Sequence, residues 1–140
     1  MKLKGAHLEL GKRGEELALE FLKKQGYRIV SMNSIIRLGR SPTGHSLTGE
    51  IDIIAYDGCL LCFIEVKTRR SDDFAPPEQA VDRRKQRRLA RAARRYRQLL
   101  GLMGEPYRFD VVAVVLRNTG AEIRLERGYF TEQTRKKQSF

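Results

Sequence analysis

Gly49-Glu50-Ile51-Asp52-Ile53-Ile54-Ala55-Tyr56 and Cys59-Leu60-Leu61-Cys62-Phe63-Ile64-Glu65-Val66-Lys67-Thr68 are two β-rich runs separated only by Asp57-Gly58. An Asp-Gly pair between such runs is the strongest short-range hairpin signal a sequence carries. With Asp57 and Gly58 as the two central turn residues, Tyr56 opposes Cys59, Asp52 opposes Phe63 and Glu50 opposes Glu65. Directly opposed residues share a face, as do residues two apart on one strand, so Glu50, Asp52, Glu65 and Lys67 emerge together. Ile51, Ile53, Ile64 and Val66 then form an apolar opposite face, which places the hairpin inside a sheet with its polar face covered.

Around this hairpin the chain reads as alternating helix and strand. A helix is expected from about Leu8 to Gln25, stopped by Gly26, with Leu10, Leu17, Ala18, Leu19, Phe21 and Leu22 on one face. Glu15 falls inside that apolar arc, where a carboxylate is costly to bury without a partner. Tyr27 to Val30 reads as a short strand, and Arg37 to Thr48, rich in Gly, Ser, Thr and Pro, as a mobile loop carrying Arg37 and Arg40. Ser71 to Pro77 reads as a second loop. A helix from about Glu78 to Leu100 follows, with an apolar stripe of Ala80, Val81, Leu89, Ala92, Ala93, Tyr96 and Leu99. Nine Lys or Arg and no acid lie between Arg83 and Arg97. Arg108 to Leu116 reads as a buried strand, Asn118-Thr119-Gly120 as a turn, and Glu122 to Leu125 as a final strand. The expectation is one α/β domain over residues 1–126, a central mixed sheet with flanking helices, followed by a basic flexible tail at 127–140.

Composition narrows the function class. The 140 residues carry 28 Lys+Arg against 17 Asp+Glu, a net charge of +11, while 41% are hydrophobic. A chain of this size buries roughly two-thirds of its unfolded surface, enough for a core without staples. A folded domain with such a basic excess expects an anionic partner. Cys59 and Cys62 imitate half a zinc site, but no second pair exists and His7 and His45 are not placed to complete one, so reduced thiols are expected. The longest wholly apolar runs, Cys59 to Ile64 and Val111 to Leu116, are far below the about 20 residues a membrane span needs. With no secretory h-region after Met1, a cytoplasmic protein without membrane contact is expected.

Three acids and a lysine on one sheet face repel unless a cation sits among them. The plain alternative is an edge hairpin with a solvated charged face. Glu15 in an apolar arc, the apolar back of the hairpin and the positive field that follows it favour instead a hard divalent cation on carboxylate and water ligands, beside an anionic substrate.

These residues resemble a known family. Gly11-Lys12-Arg13-Gly14-Glu15, Gly-Glu-Ile-Asp-Ile-Ile-Ala at 49–55, Phe-Ile-Glu-Val-Lys-Thr-Arg at 63–69, Ala80-Val81 with Lys85-Gln86 and Arg88-Leu89, and Phe109-Asp110-Val111-Val112-Ala113-Val114 look like the YraN family of small bacterial proteins, over about residues 11–116. That family is similar to PD-(D/E)xK nucleases and Holliday-junction resolvases, which implies a restriction-endonuclease-like α/β core. The resemblance implies Asp52 and Glu65 as metal-binding carboxylates, Lys67 as the catalytic lysine and Glu15 as the helix carboxylate completing the site. Gln79 matches a position often polar in related nucleases, and Asn33 the family's asparagine; the 37–48 segment is longer than the usual link from that asparagine to Gly-Glu-Ile-Asp. Mg²⁺, with Mn²⁺ as an alternative, is the implied cofactor. Arg69, Arg83, Arg84, Lys85, Arg87, Arg88 and Arg91 are the candidate nucleic-acid contacts. The implied function is Mg²⁺-dependent hydrolysis of phosphodiester bonds in DNA, on branched or repair and recombination intermediates; a non-catalytic nucleic-acid-binding module on the same fold is the alternative. Junction-cutting relatives act as dimers, and a homodimer is compatible with a chain this short.

Overall fold

The computed structural model describes residues 2–71 and 81–132, with the side chains of residues 2–8 outside that description. The elements are α1 (Lys2–Lys24), β1 (Arg28–Arg40), β2 (Ser46–Asp57), β3 (Leu60–Arg70), α2 (Arg83–Leu99), β4 (Tyr107–Arg117) and β5 (Gly120–Phe130). They build one mixed sheet in the order β1-β2-β3-β4-β5, antiparallel except for the β3–β4 pair. A parallel pair needs a crossover, and α2 lies within it. β3 is the middle strand. This is the α/β arrangement of a restriction-endonuclease-like fold, with a helix on each face of the sheet.

Alternation along β3 separates two cores. Leu61 and Phe63 pack with Leu89, Ala90, Ala92 and Ala93 of α2, whereas Cys62, Ile64 and Val66 pack with Ala18 and Leu22 of α1. Small residues allow close approach on both sides. A Cβ on Gly49 would lie 2.9 Å from the Ala92 Cβ, and one on Gly14 would collide with the Thr68 side chain. α2 opens on Asp82, whose carboxylate accepts from the Lys85 N–H at 3.0 Å. Its start is Arg83 rather than the expected Glu78; Gln79 and most of the expected loop at 71–77 lie outside the described residues. Leu99, expected in the apolar stripe, is exposed.

Three expectations are corrected. The turn residues are Gly58 and Cys59, since Asp57 pairs with Leu60 and Tyr56 with Leu61. Gly58 has φ 63°, the positive value that the first central position of a type II′ turn requires and that glycine alone adopts freely. Asp57 stays in the strand, where its carboxylate meets Arg108 at 2.7 Å and Arg127 at 3.5 Å. The expected Asp52–Phe63 and Glu50–Glu65 oppositions are therefore displaced by two residues, and parity holds only as far as Ile53. Glu50, opposite Ile35, lies on the α1 side, while Glu65 and Lys67 follow Leu61 and Phe63 on the α2 side, so the four expected residues do not share one face. Second, Arg37 to Thr48 is not a mobile loop. β1 continues from Arg28 to Arg40 and pairs with β2 down to Arg40↔Ser46, leaving a short turn in which the Ser41 N–H donates to the His45 carbonyl at 2.8 Å. Ile35, Ile36 and Leu38 supply the β-forming side chains that the Gly and Ser content obscured. Third, β5 runs past Leu125 to Phe130, whose ring stacks on Phe109 at 4.4 Å, so residues 127–130 belong to the sheet and not to a tail.

A polar network ties the sheet to the end of α1. Asp110 is fully buried; it accepts from the Tyr27 hydroxyl at 2.8 Å, Arg108 Nε at 2.7 Å and the Gly128 N–H at 2.9 Å. Burial alone would push its carboxyl up, but Arg108, the Gly128 N–H and Tyr27 together hold it below the usual range.

Candidate functional site

The site forms where β2 leaves β3. Backbone pairing between them ends at Ile53↔Ile64, and the next link is a side chain: the Val66 N–H donates to Asp52 Oδ2 at 2.8 Å. The alternation of β2 breaks at the same place. Ile53 packs on the α1 side but Ile51 on the α2 side, against the expectation that both share one face. Asn33, between the pairs Met32↔Ile53 and Ser34↔Ile51, has φ 51°, the only non-glycine positive φ among the described residues. Asparagine tolerates that conformation better than most residues.

Asp52 and Glu65 come into hydrogen-bond contact at this split. Burial pushes Asp52 up to about 7, reinforced by the charges of Glu65 and Glu50 and opposed by the Val66 N–H. Glu65 is also raised by burial, against the pull of Lys85, Asp52 and Lys67. Two partly buried carboxyls in contact cannot both ionise cheaply, which favours a form of the pair that shares one proton. Lys67, two residues beyond Glu65 on the same face, is lowered by burial and by the neighbouring Lys85 ammonium, while Glu65 and Asp52 oppose the shift.

Glu15 reaches the cluster from α1. It is half-buried and raised by burial and by Asp52 and Glu50, while the Asn33 side chain hydrogen-bonds it and favours the ionised form. The four residues expected to form a site are thus neighbours. Among the described residues, no group of three or more His, Cys, Asp or Glu is arranged to hold a metal ion. What converges is the Asp52–Glu65 pair, with Glu15 adding charge beside it. Two carboxylates suit Mg²⁺, which commonly keeps waters and substrate oxygens as its remaining ligands.

The expected nucleic-acid contacts separate in space. Lys85 is partly buried and faces Glu65 and Lys67, which makes it part of the cluster. Arg69, next along the same face, has a buried Nε with no hydrogen-bond partner. Arg83, Arg84, Arg87, Arg88 and Arg91 are exposed on α2. Arg97 is buried instead, its guanidinium 3.7 Å from the centre of the Tyr107 ring and 3.4 Å from Glu132. Sequence reasoning missed the role of Asn33 in holding Glu15 and the turning inward of Lys85. The left-handed tolerance of asparagine, and the position of Lys85 three residues after a capping aspartate, were the available signals.

No helix among the described residues is long and apolar enough to cross a membrane. The sequence profile of the uncharacterised protein family UPF0102 matches residues 14–114. A UPF0102 protein of Koribacter versatilis (strain Ellin345) is 45% identical over 124 residues, covering 89% of this chain and 80% of that one. One from Symbiobacterium thermophilum is 48% identical over 105 residues, covering 75% and 80%. Among solved structures, one titled crystal structure of SSO0001 aligns at 17% identity with a TM-score of 0.34, covering 93% of this chain and 56% of that longer one. The profile spans most of the chain and takes in Glu15, Asp52, Glu65 and Lys67: the chain belongs to the UPF0102, or YraN, family.

Proposed function

We propose that this protein is a divalent-metal-dependent endonuclease that hydrolyses phosphodiester bonds in DNA, with branched or repair and recombination intermediates as its substrate class and the cytoplasm as its setting. The observation that carries the reading is the meeting of Asp52, Glu65 and Lys67 at the point where β2 leaves β3. Mg²⁺, or Mn²⁺ in its place, would be held by Asp52 and Glu65, and when bound would neutralise charge on the scissile phosphate and favour ionisation of a water.

The chain's own residues do the remainder. Asp52 and Glu65 would hold a cation in their ionised forms, so cation binding and loss of the proton favoured between them would be linked. Lys67, its ammonium destabilised by burial and by Lys85, is suited to hold or take a proton beside the scissile phosphate. Glu15, oriented by Asn33, adds negative charge on the other side of the pair. The exposed arginines of α2 supply a sequence-independent attraction for the phosphate backbone.

The test is incubation of labelled linear, nicked and four-way-junction DNA with Mg²⁺ or Mn²⁺, using the wild type, Asp52→Asn and Lys67→Ala. Metal-dependent cleavage lost in both variants supports the reading. Equal background nicking by all three proteins rejects it, and tight binding without cleavage favours the non-catalytic module instead.

A further inference from the structure

The stretch of sheet beyond the carboxylates has no part in the chemistry above. Because β2 pairs with β3 only as far as Ile53, residues 34–40 of β1 and 46–51 of β2 form a two-stranded ribbon hydrogen-bonded to itself alone. One face of the ribbon is anchored on α2: Ile36 is buried, Leu38 packs beside it, and Gly49 closes on Ala92. The other face is open. Ile35 opposes Glu50 and Arg37 opposes Thr48, so these four side chains share it, and all four are exposed. Ile35 is 73% exposed, the highest value among the large apolar residues described.

This open face lies on the α1 side of the sheet, since Ile36 faces α2. Lys12, one turn before Glu15 on α1, is exposed and lies on the side of that helix from which Glu15 emerges. An apolar tip next to the carboxylates thus has Arg37 beside it on the ribbon and Lys12 on the helix that covers the same side of the sheet. Glu50, directly across from Ile35, repels phosphate from the middle of this face, which leaves the backbone to the flanking cations and the centre to bases.

We infer that the ribbon enters a groove of double-stranded nucleic acid, with Ile35 as a wedge against a base step and Arg37 and Lys12 on the flanking phosphates. The inference rests on the nuclease reading for the nature of the ligand and adds that the substrate is a duplex unstacked at or beside the cleavage point. A two-stranded ribbon has the width a groove admits, and apolar wedges flanked by cations are a recurrent way of kinking DNA. The competing occupant is a second copy paired along β1. That arrangement would bring the edge arginines Arg28, Arg37 and Arg40 of two chains together across a strand interrupted by two register shifts, both of which disfavour it.

The test uses full-length Asp52→Asn protein, so that bound DNA stays intact, with a duplex carrying 2-aminopurine at successive positions. Fluorescence at one step should rise on binding. Adding Ile35→Thr, a β-branched replacement at an exposed position, should abolish that rise while affinity changes by less than about threefold. Adding Arg37→Gln should weaken binding about five- to tenfold and lower the salt slope by about 1. The inference is overturned if the rise survives Ile35→Thr, if no duplex binds, or if the protein is a dimer that Ile35→Thr converts to monomer. A wild type that unstacks DNA but cleaves nothing sinks the nuclease reading and leaves the wedge standing. Cleavage that persists in Ile35→Thr, together with a fluorescence rise that survives the same change, does the reverse.

Discussion

The proton shared by Asp52 and Glu65 makes stability depend on pH in a definite direction. Asp52 titrates at about 7 in the folded chain against an ordinary value of 3.8, so between those values the native state holds a proton the unfolded chain has released. Its stabilising contribution is complete below about pH 4 and is lost as pH rises through about 7. Metal-free protein should therefore show a urea midpoint that falls between about pH 5 and about pH 8, and Asp52→Asn, which needs no shared proton, should flatten that fall. Equal slopes in the two proteins would contradict a shared proton. Arg108 provides a different measurement. Replacing it by alanine strands the fully buried Asp110, and denaturant unfolding should register a loss of about 3–5 kcal/mol. Glu65 and Lys67 were legible as one face because β3 alternates without a break, and Asp52 as their neighbour because the hairpin brings it alongside Val66 even with the register two residues off. Asp110 was not, since one acid in an apolar strand carries no sign of the arginine, tyrosine and backbone N–H that fold around it.

At the scale of elements, close approach governs the helices and edge pairing governs the last strand. Gly14 lets α1 touch β3 at Thr68, one residue from Lys67, and thereby sets how near Glu15 comes to the carboxylate pair. Gly14→Ala should cost about 1–3 kcal/mol by overpacking, read from the denaturant midpoint, and should reduce cleavage beyond the loss of folded protein because α1 is pushed outward. β5 makes a complementary prediction. Truncation after Glu126 removes Phe130 from its stack on Phe109 and the Gly128 N–H from Asp110, and thermal melting should show a loss at least equal to the about 3–5 kcal/mol of a buried Phe→Ala change. A truncated chain as stable as the parent would show that the sheet ends where the sequence pattern fades. That pattern fades because Glu126-Arg127-Gly128 breaks strict alternation, and the register shift after Phe109 absorbs the irregularity.

For the whole molecule, the net charge of +11 divides into populations with different surroundings. Lys85 and Lys67 stand beside the partly buried Asp52 and Glu65, Arg97 and Arg108 are committed to internal contacts, and the other α2 arginines are exposed on the face of the sheet opposite α1. If about four phosphates are contacted, DNA affinity should fall about 10²-fold between about 50 and 200 mM salt. A salt-independent affinity measured by fluorescence anisotropy would exclude backbone contacts as the source of binding.

Sequence alone determined both helices and the core strands, the pairing of two apolar runs into one hairpin, the nearness of Asp52, Glu65 and Lys67 within it, and the basic character of α2. These follow from periodicities of two and 3.6 residues and from local turn chemistry, which act over a few residues. Tertiary structure decided what depends on distant partners. Gly58-Cys59 makes the turn because Asp57 is held in the strand beside Arg108 and Arg127, and the segment at 37–40 is strand because β2 lies alongside it. Lys85 belongs with Glu65 and Lys67 because α2 runs across the sheet from that corner. Each of these is set by packing and charge between segments far apart in the chain, for which a local pattern holds no term.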